Sequence, residues 1–499
     1  MPIFAQNYIA MPLRRILAAF IIFQTLVCAW GANPKREFRG AWLHTVFQDQ
    51  YHKQTTEQNK AYLCRQLDSL KAAGINAVIF QVRPQADAFY ASKIEPWSRF
   101  LTDDGLAPEP FWDPLEFMVA EAHSRGMELH AWLNPYRVTS SAKQTLPKGH
   151  VYHKYPRRFV RYDGKLYFDP GLPENREYIC DVVSDIVRRY DVDGIHLDDY
   201  FYPYPVKGKE FDDKASFARY GKDMDLKDWR RRNVDMLIEM LHKRIASMKP
   251  WVRFGVSPFG IWRNKTSDPR GSDTNGLENY DSLYADVLLW EEQGWVDYLM
   301  PQLYWELDHK AASYRVLNEW WAKNSGAKRH LYIGQDVART MGKPSKSNQN
   351  PPSELYAKMA LTRGAENIRG NCMWPGYLVS SNEGGVADSL KTVYHSTLAL
   401  VPSYPWMSKT EPEPVEKLKV KGRKITWKAA EPAGKVTDVV RYVVYRFDDF
   451  DAADISDPAA IVDLTDRCEY TAPRSGVYMI TALNRANNES EASNPVLVK

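Results

Sequence analysis

From residue 38 to about residue 400 the chain alternates short apolar runs with stretches of helical periodicity. The runs fall at 38–45, 77–84, 128–135, 194–201, 252–259, 297–305, 330–336 and 371–375. Helix signals lie between them. Asp113-Pro114-Leu115-Glu116 offers an N-cap, a proline at the first helical position and an early carboxylate, with Gly126 as the stop. Over 229–248 apolar residues recur at 234, 237, 238, 241, 245 and 248, which is a helical stripe. Eight strand-then-helix units predict an α/β chain folded as a (β/α)8 barrel over 36–402. An open doubly wound sheet would fit the same count, but no glycine-rich fingerprint follows the first run. The Thr-Glu-Pro-Glu-Pro stretch at 410–414 predicts a linker, and alternating runs at 424–428, 439–447, 477–484 and 495–498 predict a small β-sandwich over 411–499.

Period-two alternation also assigns faces. In the fourth run Ile195 and Leu197 alternate with His196 and Asp198, so the branched apolar residues suit the helix layer and His196 and Asp198 turn to the barrel axis. The same logic aims Gln81 and Arg83, then Trp132 and Asn134, then Gln302, Tyr304 and Glu306 inward. Barrel active sites lie at the C-terminal strand ends, where Asp198 and Glu306 would meet. Asp199 has the opposite parity and joins only if the strand ends before it. Cleavage of a glycosidic bond needs two carboxyl groups in different protonation states. Asp198, Glu306 and Asp199 are therefore the candidate catalytic acids. Arg83 would keep one acid ionised, with Tyr304 donating to it, and Gln81, Asn134, Arg137, Tyr200, Gln302, Trp305 and Trp374 complete the expected substrate-binding set. His44, His130 and His196 read as packing or hydrogen-bonding residues, and no metal site or cofactor is expected.

The formal charge of +4 over 66 basic and 62 acidic residues carries no basic stripe, which argues against nucleic acid. Sixteen Trp and 29 Tyr suit a protein that binds flat, half-apolar ligands such as sugar rings. Arg14-Arg15, an apolar stretch over 16–27 and small residues Ala29 and Gly31 predict an export signal over 1–31, with Cys28 as an alternative lipid-attachment point. Export would place the protein in the periplasm or cell envelope, without a transmembrane segment once the signal is removed. Cys64, Cys180, Cys372 and Cys468 are widely spaced and predict neither a zinc site nor a disulfide framework.

REFRGAWLHT at 36–45, GINAVIFQVRPQADAFY at 74–90, EPWSRFLT at 95–102, ELHAWLNPYRV at 128–138, FDPGLPENREYI at 168–179, DVDGIHLDDYFYP at 191–203, SPFGIWRN at 257–264, VDYLMPQLYWE at 296–306 and MWPGY at 373–377 closely resemble glycosyl-hydrolase-like family 10. The resemblance runs from about residue 36 to 400 and implies an exported bacterial barrel hydrolase. The family includes a hydrolase of denuded peptidoglycan glycan strands, so such strands are the implied polysaccharide. DGIHLDDYFYP is also similar to the fourth strand of chitinase-type barrels. There the acid in the middle of the motif matches Asp198, but the proton donor would fall on Tyr200, so that mechanism does not transfer. Trp427 and the segment 476–495 resemble a fibronectin-type-III domain. Three other functions compete. A metal-dependent amide or ester hydrolase would want a His-x-His pair at the first strand, where only His44 stands. A non-catalytic carbohydrate-binding barrel would not need the acids, and a hydrolase of another polysaccharide would keep them.

Overall fold

The computed structural model describes residues 33–340 and 353–499, so the expected export signal and Cys28 lie outside the described residues. Eight parallel strands close into a barrel: β1 (Phe38–Leu43), β2 (Ala77–Arg83), β3 (Glu128–Leu133), β4 (Gly194–Leu197), β5 (Arg253–Val256), β6 (Tyr298–Leu299), β7 (His330–Asp336) and β8 (Ile368–Trp374). Each strand pairs with its chain neighbours, and β8 closes on β1. All eight expected runs are strands. The continuous pairing of β4, β5 and β6 ends earlier than the apolar pattern suggests, at Leu197, Val256 and Leu299, although Phe259, Gln302 and Gly334 still bridge at the mouth. Asp113 caps the helix Pro114–His123 by accepting from the Leu115 and Glu116 amides, and Gly126 takes the left-handed conformation that ends that unit (φ 73°). Among the described residues no helix is long and apolar enough to cross a membrane.

The alternation sorts as its period dictates. Ala41, Leu43, Val78, Phe80, Leu129, Ile195 and Leu197 pack outward against the helices. Phe38, Trp42, Ala77, Ile79, Trp132, Tyr298, Met300 and Tyr332 fill the barrel interior. Polar side chains share that interior. Tyr298 bonds through its hydroxyl to both His130 Nδ1 (2.9 Å) and His196 Nδ1 (3.0 Å), and His130 Nε2 meets Glu128 (3.1 Å). His196 Nε2 in turn contacts Ser257 Oγ (3.0 Å) and the Trp42 indole N–H (3.2 Å). His130 and His196 are thus hydrogen-bonding residues of the interior.

The C-terminal part folds as two antiparallel sheets. One has the order β9 (Lys419–Lys421), β10 (Lys424–Thr426), β13 (Glu469–Thr471). The other runs β12 (Ile461–Thr465), β11 (Val439–Phe447), β14 (Gly476–Asn484), β15 (Val496–Val498). On β11, Tyr442 and Val444 face the core with Trp427, Tyr478 and Ile480, whereas Val443, Tyr445 and Phe447 pack with Leu400 beside the barrel.

This small β domain seals the barrel end opposite the mouth. Glu128 and Asp193 sit buried at the starts of β3 and β4, where Arg253 and Arg441 converge on them. Arg253 reaches Glu128 at 3.1 Å, and Arg441 reaches Asp193 at 2.8 Å and Glu128 at 3.5 Å. Burial alone would raise the Glu128 carboxyl, but Arg253, the His130 hydrogen bond and Arg441 hold it at about 2. Asn487 also donates to Glu128 (2.8 Å), and Trp406 from the intervening segment donates to Asp297 (2.8 Å). The segment after residue 402 is therefore packed under the barrel.

Removing one partner from a buried ion cluster leaves an uncompensated charge, at a cost of ~3–5 kcal/mol. Arg441→Ala should lower stability by that order in chemical denaturation. Arg485→Ala, which breaks the more exposed pair with Asp191 (2.9 Å), should change it by less than about 1 kcal/mol. Equal effects would show that the β domain docks without help from the buried cluster.

Candidate active site

A cavity of about 360 Å³ opens at the C-terminal ends of the strands. Asp198, Asp199, Gln81, Arg137, Tyr200, Gln302, Tyr304 and Trp374 line it, as do Trp42, His44, Phe47, Trp132, Tyr204 and Ser257. The acid pair follows from the way β4 ends. Pairing stops at Leu197, and the Asp198 carboxylate accepts from the Tyr200 amide (3.4 Å), which turns the chain. The parity rule therefore no longer governs Asp199, and both consecutive acids reach one cavity while staying 4% and 2% exposed.

Their surroundings differ. Asp198 accepts from the Trp132 indole (3.2 Å) and from the Asn134 carboxamide at both oxygens (3.2 Å each). Burial raises its pKa, and the Arg137 charge followed by these donors opposes the rise. Asp199 is raised further, to about 7, first by burial and then by the charge of Asp198. It accepts from the Tyr204 hydroxyl and lies beside the Gln302 carboxamide. Both carboxyls are raised by burial, but the donors and the Arg137 charge around Asp198 oppose its rise while the charge of Asp198 adds to that of Asp199, an asymmetry of the kind that acid-assisted bond cleavage requires.

The rest of the lining supplies polar and aromatic contacts. Gln81 accepts the Thr45 and Val46 amides at 3.0 and 2.9 Å, while its buried Nε2 has no protein partner. Gln302 donates to the Ser257 carbonyl (2.9 Å). Arg137 is clamped on the Pro84 carbonyl through Nε (3.1 Å) and Nη2 (2.8 Å), with its guanidinium over the Tyr200 ring. Trp374 meets Trp132 edge-on, their centroids 6.0 Å apart.

Four expected residues lie elsewhere. Arg83 is enclosed, paired with Glu95 at 2.7 and 2.6 Å and donating to the Asn134 and Pro135 carbonyls. The cation beside Asp198 is Arg137, and the phenol bonded to the acid pair is that of Tyr204, where Tyr304 had been expected. Asn134 stands behind Asp198 as its donor. Trp305 packs edge-on against Phe259 (5.3 Å). Glu306 lies past the end of β6 in a turn, 3.9 Å from His309, and is not among the lining residues. Phe47 escaped the sequence reading. It is 65% exposed with a left-handed backbone (φ 59°), on a loop with no periodic signal. Trp42 was legible from the alternation of β1 but was not selected. Among the described residues no group of three His, Cys, Asp or Glu is arranged to hold a metal ion.

The family model described as glycosyl hydrolase-like 10 matches residues 37–352. The glycosyl hydrolase YngK of Bacillus subtilis is 36% identical over 504 residues, covering 96% of each chain. The glycosyl hydrolase DigH of Escherichia coli is 44% identical over 293 residues, covering 56% of this chain and 66% of its own length. Among solved structures, the glycoside hydrolase domain of PgaB (BpsB) from Bordetella bronchiseptica aligns at 13% identity with a TM-score of 0.49, covering 72% of this chain and 99% of that one.

A carboxyl raised from 3.8 to about 7 keeps its proton in the folded chain after the unfolded chain has lost it. Its contribution to stability is complete below the unfolded value and is lost as pH rises through about 7. Asp199→Asn stays neutral throughout, so its stability relative to the parent should improve between pH 5 and pH 8. Thermal unfolding at both pH values tests this, and a constant difference would mean that Asp199 is already ionised at pH 5.

Proposed function

The chain belongs to the glycosyl hydrolase-like 10 family and is a glycoside hydrolase; we propose that it cleaves an amino-sugar polymer, namely peptide-free peptidoglycan glycan strands, in the periplasm or cell envelope. The observation that carries this reading is the buried pair Asp198–Asp199, two carboxyls that line one cavity and differ in their hydrogen-bond donors. In this reading Asp199 donates its proton to the leaving glycosidic oxygen. Asp198 remains anionic beside the sugar and stabilises the positive charge that develops on the anomeric carbon. The oxygen of a water then adds to that carbon, while the proton the water gives up returns to the Asp199 carboxylate. The indole, carboxamide and backbone donors of Asp198 fix its carboxylate in place before the bond breaks, so little reorganisation accompanies the reaction. Gln81, Gln302 and Tyr304 orient sugar hydroxyls, and Trp374 and Tyr200 offer ring faces to the sugar.

The choice of polymer rests on the resemblance of the sequence motifs, on the expected export signal, and on a second cavity beside the catalytic one. Phe47 lines both. Adjacent cavities suit a chain-like ligand that occupies more than one sugar position.

Incubation of the enzyme with peptide-stripped glycan strands and with intact cross-linked wall, followed by mass spectrometry of the products, tests the reading. Stripped strands should be cut much faster, Asp198→Asn should cost several orders of magnitude in rate, and Glu306→Gln should retain turnover. Equal cleavage of stripped and intact wall would refute the substrate preference. Release of sugars only from an unrelated polysaccharide would refute the substrate class.

A further inference from the structure

The near-balance of charge over the whole chain conceals one local excess at the barrel mouth. Residues 137–165, after β3, hold eight Lys and Arg side chains and a single acid, Asp163. The neighbouring mouth segments lean the other way. Residues 84–113 after β2 hold two basic and six acidic side chains, and residues 198–213 after β4 hold two and five. The lone acid of the basic segment is paired from outside it, by Lys209. Lys143, Lys148, Lys154, Arg157 and Arg161 are exposed, and none of them has an acidic partner among the described residues.

These charges sit on an ordered support. The Val138 amide donates to the Leu166 carbonyl (3.0 Å) and the Phe168 amide to the Tyr136 carbonyl (2.9 Å). Residues 136–139 thereby run alongside the hairpin of Phe159–Tyr162 with Lys165–Phe168. On that hairpin Val160 and Tyr162 are buried and Arg161 turns outward. The Arg158 guanidinium and the Lys154 ammonium lie 4.1 and 5.1 Å from the centroid of the Tyr155 ring, so one ring holds two of the cations. At its start the segment meets the catalytic cavity, which Arg137 lines. Like charges gathered without acidic partners repel one another, and an anionic ligand relieves that repulsion. The acids inside the cavity would repel such a ligand, so its attraction has to come from the rim.

We propose that the segment 137–165 is a docking surface for an anionic glycan strand, taking up the free lactyl carboxylates of its muramic acid residues as the strand enters the catalytic cavity. The proposal rests on the reading of the substrate as peptide-free peptidoglycan glycan, and it gives that preference a physical cause. The lactyl carboxyl of a muramic residue is a charged carboxylate once its peptide is gone. In intact wall the same carboxyl is tied up as an uncharged amide. A peptide-free strand therefore repeats a negative charge along its length, and a basic rim responds to that repeat.

Fluorescence anisotropy of end-labelled, peptide-stripped glycan strands tests the surface, with the full chain carrying Asp199→Asn to prevent turnover. One variant adds Lys148→Gln, Lys154→Gln, Arg157→Gln and Arg161→Gln to that background. A control adds Lys419→Gln, Lys421→Gln, Lys428→Gln and Lys435→Gln, which removes four exposed cations of the β domain at the opposite end of the barrel. Thermal unfolding checks that both fold. At low salt the first variant should bind the strands about tenfold more weakly, as the loss of four exposed charge contacts implies, and the control should stay within about twofold of the parent. Added salt should weaken the parent more steeply than the first variant. Strands whose carboxylates have been converted to methylamides should bind the parent weakly and respond little to the four substitutions. Parent-like affinity in the first variant, an equal loss in the control, methylamide strands bound as tightly as free ones, or no binding of strands by the parent would overturn the proposal. So would a DNA duplex of equal charge that binds more tightly than the strands and is released by the same substitutions, because the surface would then be one for nucleic acid. Hydrolysis by the chain with Asp199 intact answers separately. A chain that binds strands through this segment but cuts none of them would refute the proposed function and leave the surface standing.

Discussion

Two carboxyl groups on consecutive residues, both withdrawn from water at the end of one short strand, repel each other and lose hydration together, so the surroundings must decide which of them is charged. Much of the mouth is arranged around that constraint. Asp198 has an indole, a carboxamide and a backbone amide as donors and the Arg137 guanidinium nearby, whereas Asp199 has the Tyr204 hydroxyl and the Gln302 carboxamide. The supporting groups are themselves held. The Asn134 Oδ1 accepts from the Arg137 amide (3.1 Å), and Arg137 is fixed on the Pro84 carbonyl. Arg83, the residue before Pro84, binds the Asn134 and Pro135 carbonyls and the Glu95 carboxylate. The acid pair is thereby tied to the loops after β2 and β3.

A column of polar contacts continues below the acids along the barrel axis. It passes from Trp42 and Ser257 to His196, Tyr298, His130 and Glu128, and ends in the ion cluster with Arg253 and Arg441. A barrel interior filled only by branched apolar side chains would need no partner at its far end. A polar one must satisfy its last carboxylate, and here a guanidinium from the β domain contributes to doing so. The small domain is in that sense part of the barrel's interior packing.

The strands and their facing were legible because a period of two is imposed by backbone geometry wherever one face meets helices and the other meets the axis. Where pairing stops, the rule loses its footing. It misplaced Glu306 because beyond Leu299 the pairing of β6 thins to a bridge at Gln302 and the chain has turned away by Glu306, and it left Asp199 open because nothing local announces that β4 ends at Leu197. Arg83 was expected at the mouth, but a register shift interrupts β2 between Gln81 and Arg83, and its partner Glu95 sits in the following loop, beyond the reach of periodicity. The hairpin Phe159–Tyr162 with Lys165–Phe168 and the docking of Arg441 depend on contacts between distant segments, which no local pattern encodes.

The account stands on Asp199 as a proton donor whose affinity for its proton is set by burial beside Asp198. Its most direct test is the pH dependence of kcat/KM for the parent and for Asp199→Asn, on a natural glycan and on a glycoside with a good leaving group. The parent should lose activity as pH rises through about 7. The variant should lack that limb and recover much of its rate only on the activated glycoside, which needs little protonation. A variant that keeps the alkaline limb, or is as slow on the activated glycoside as on the natural one, would contradict the assignment.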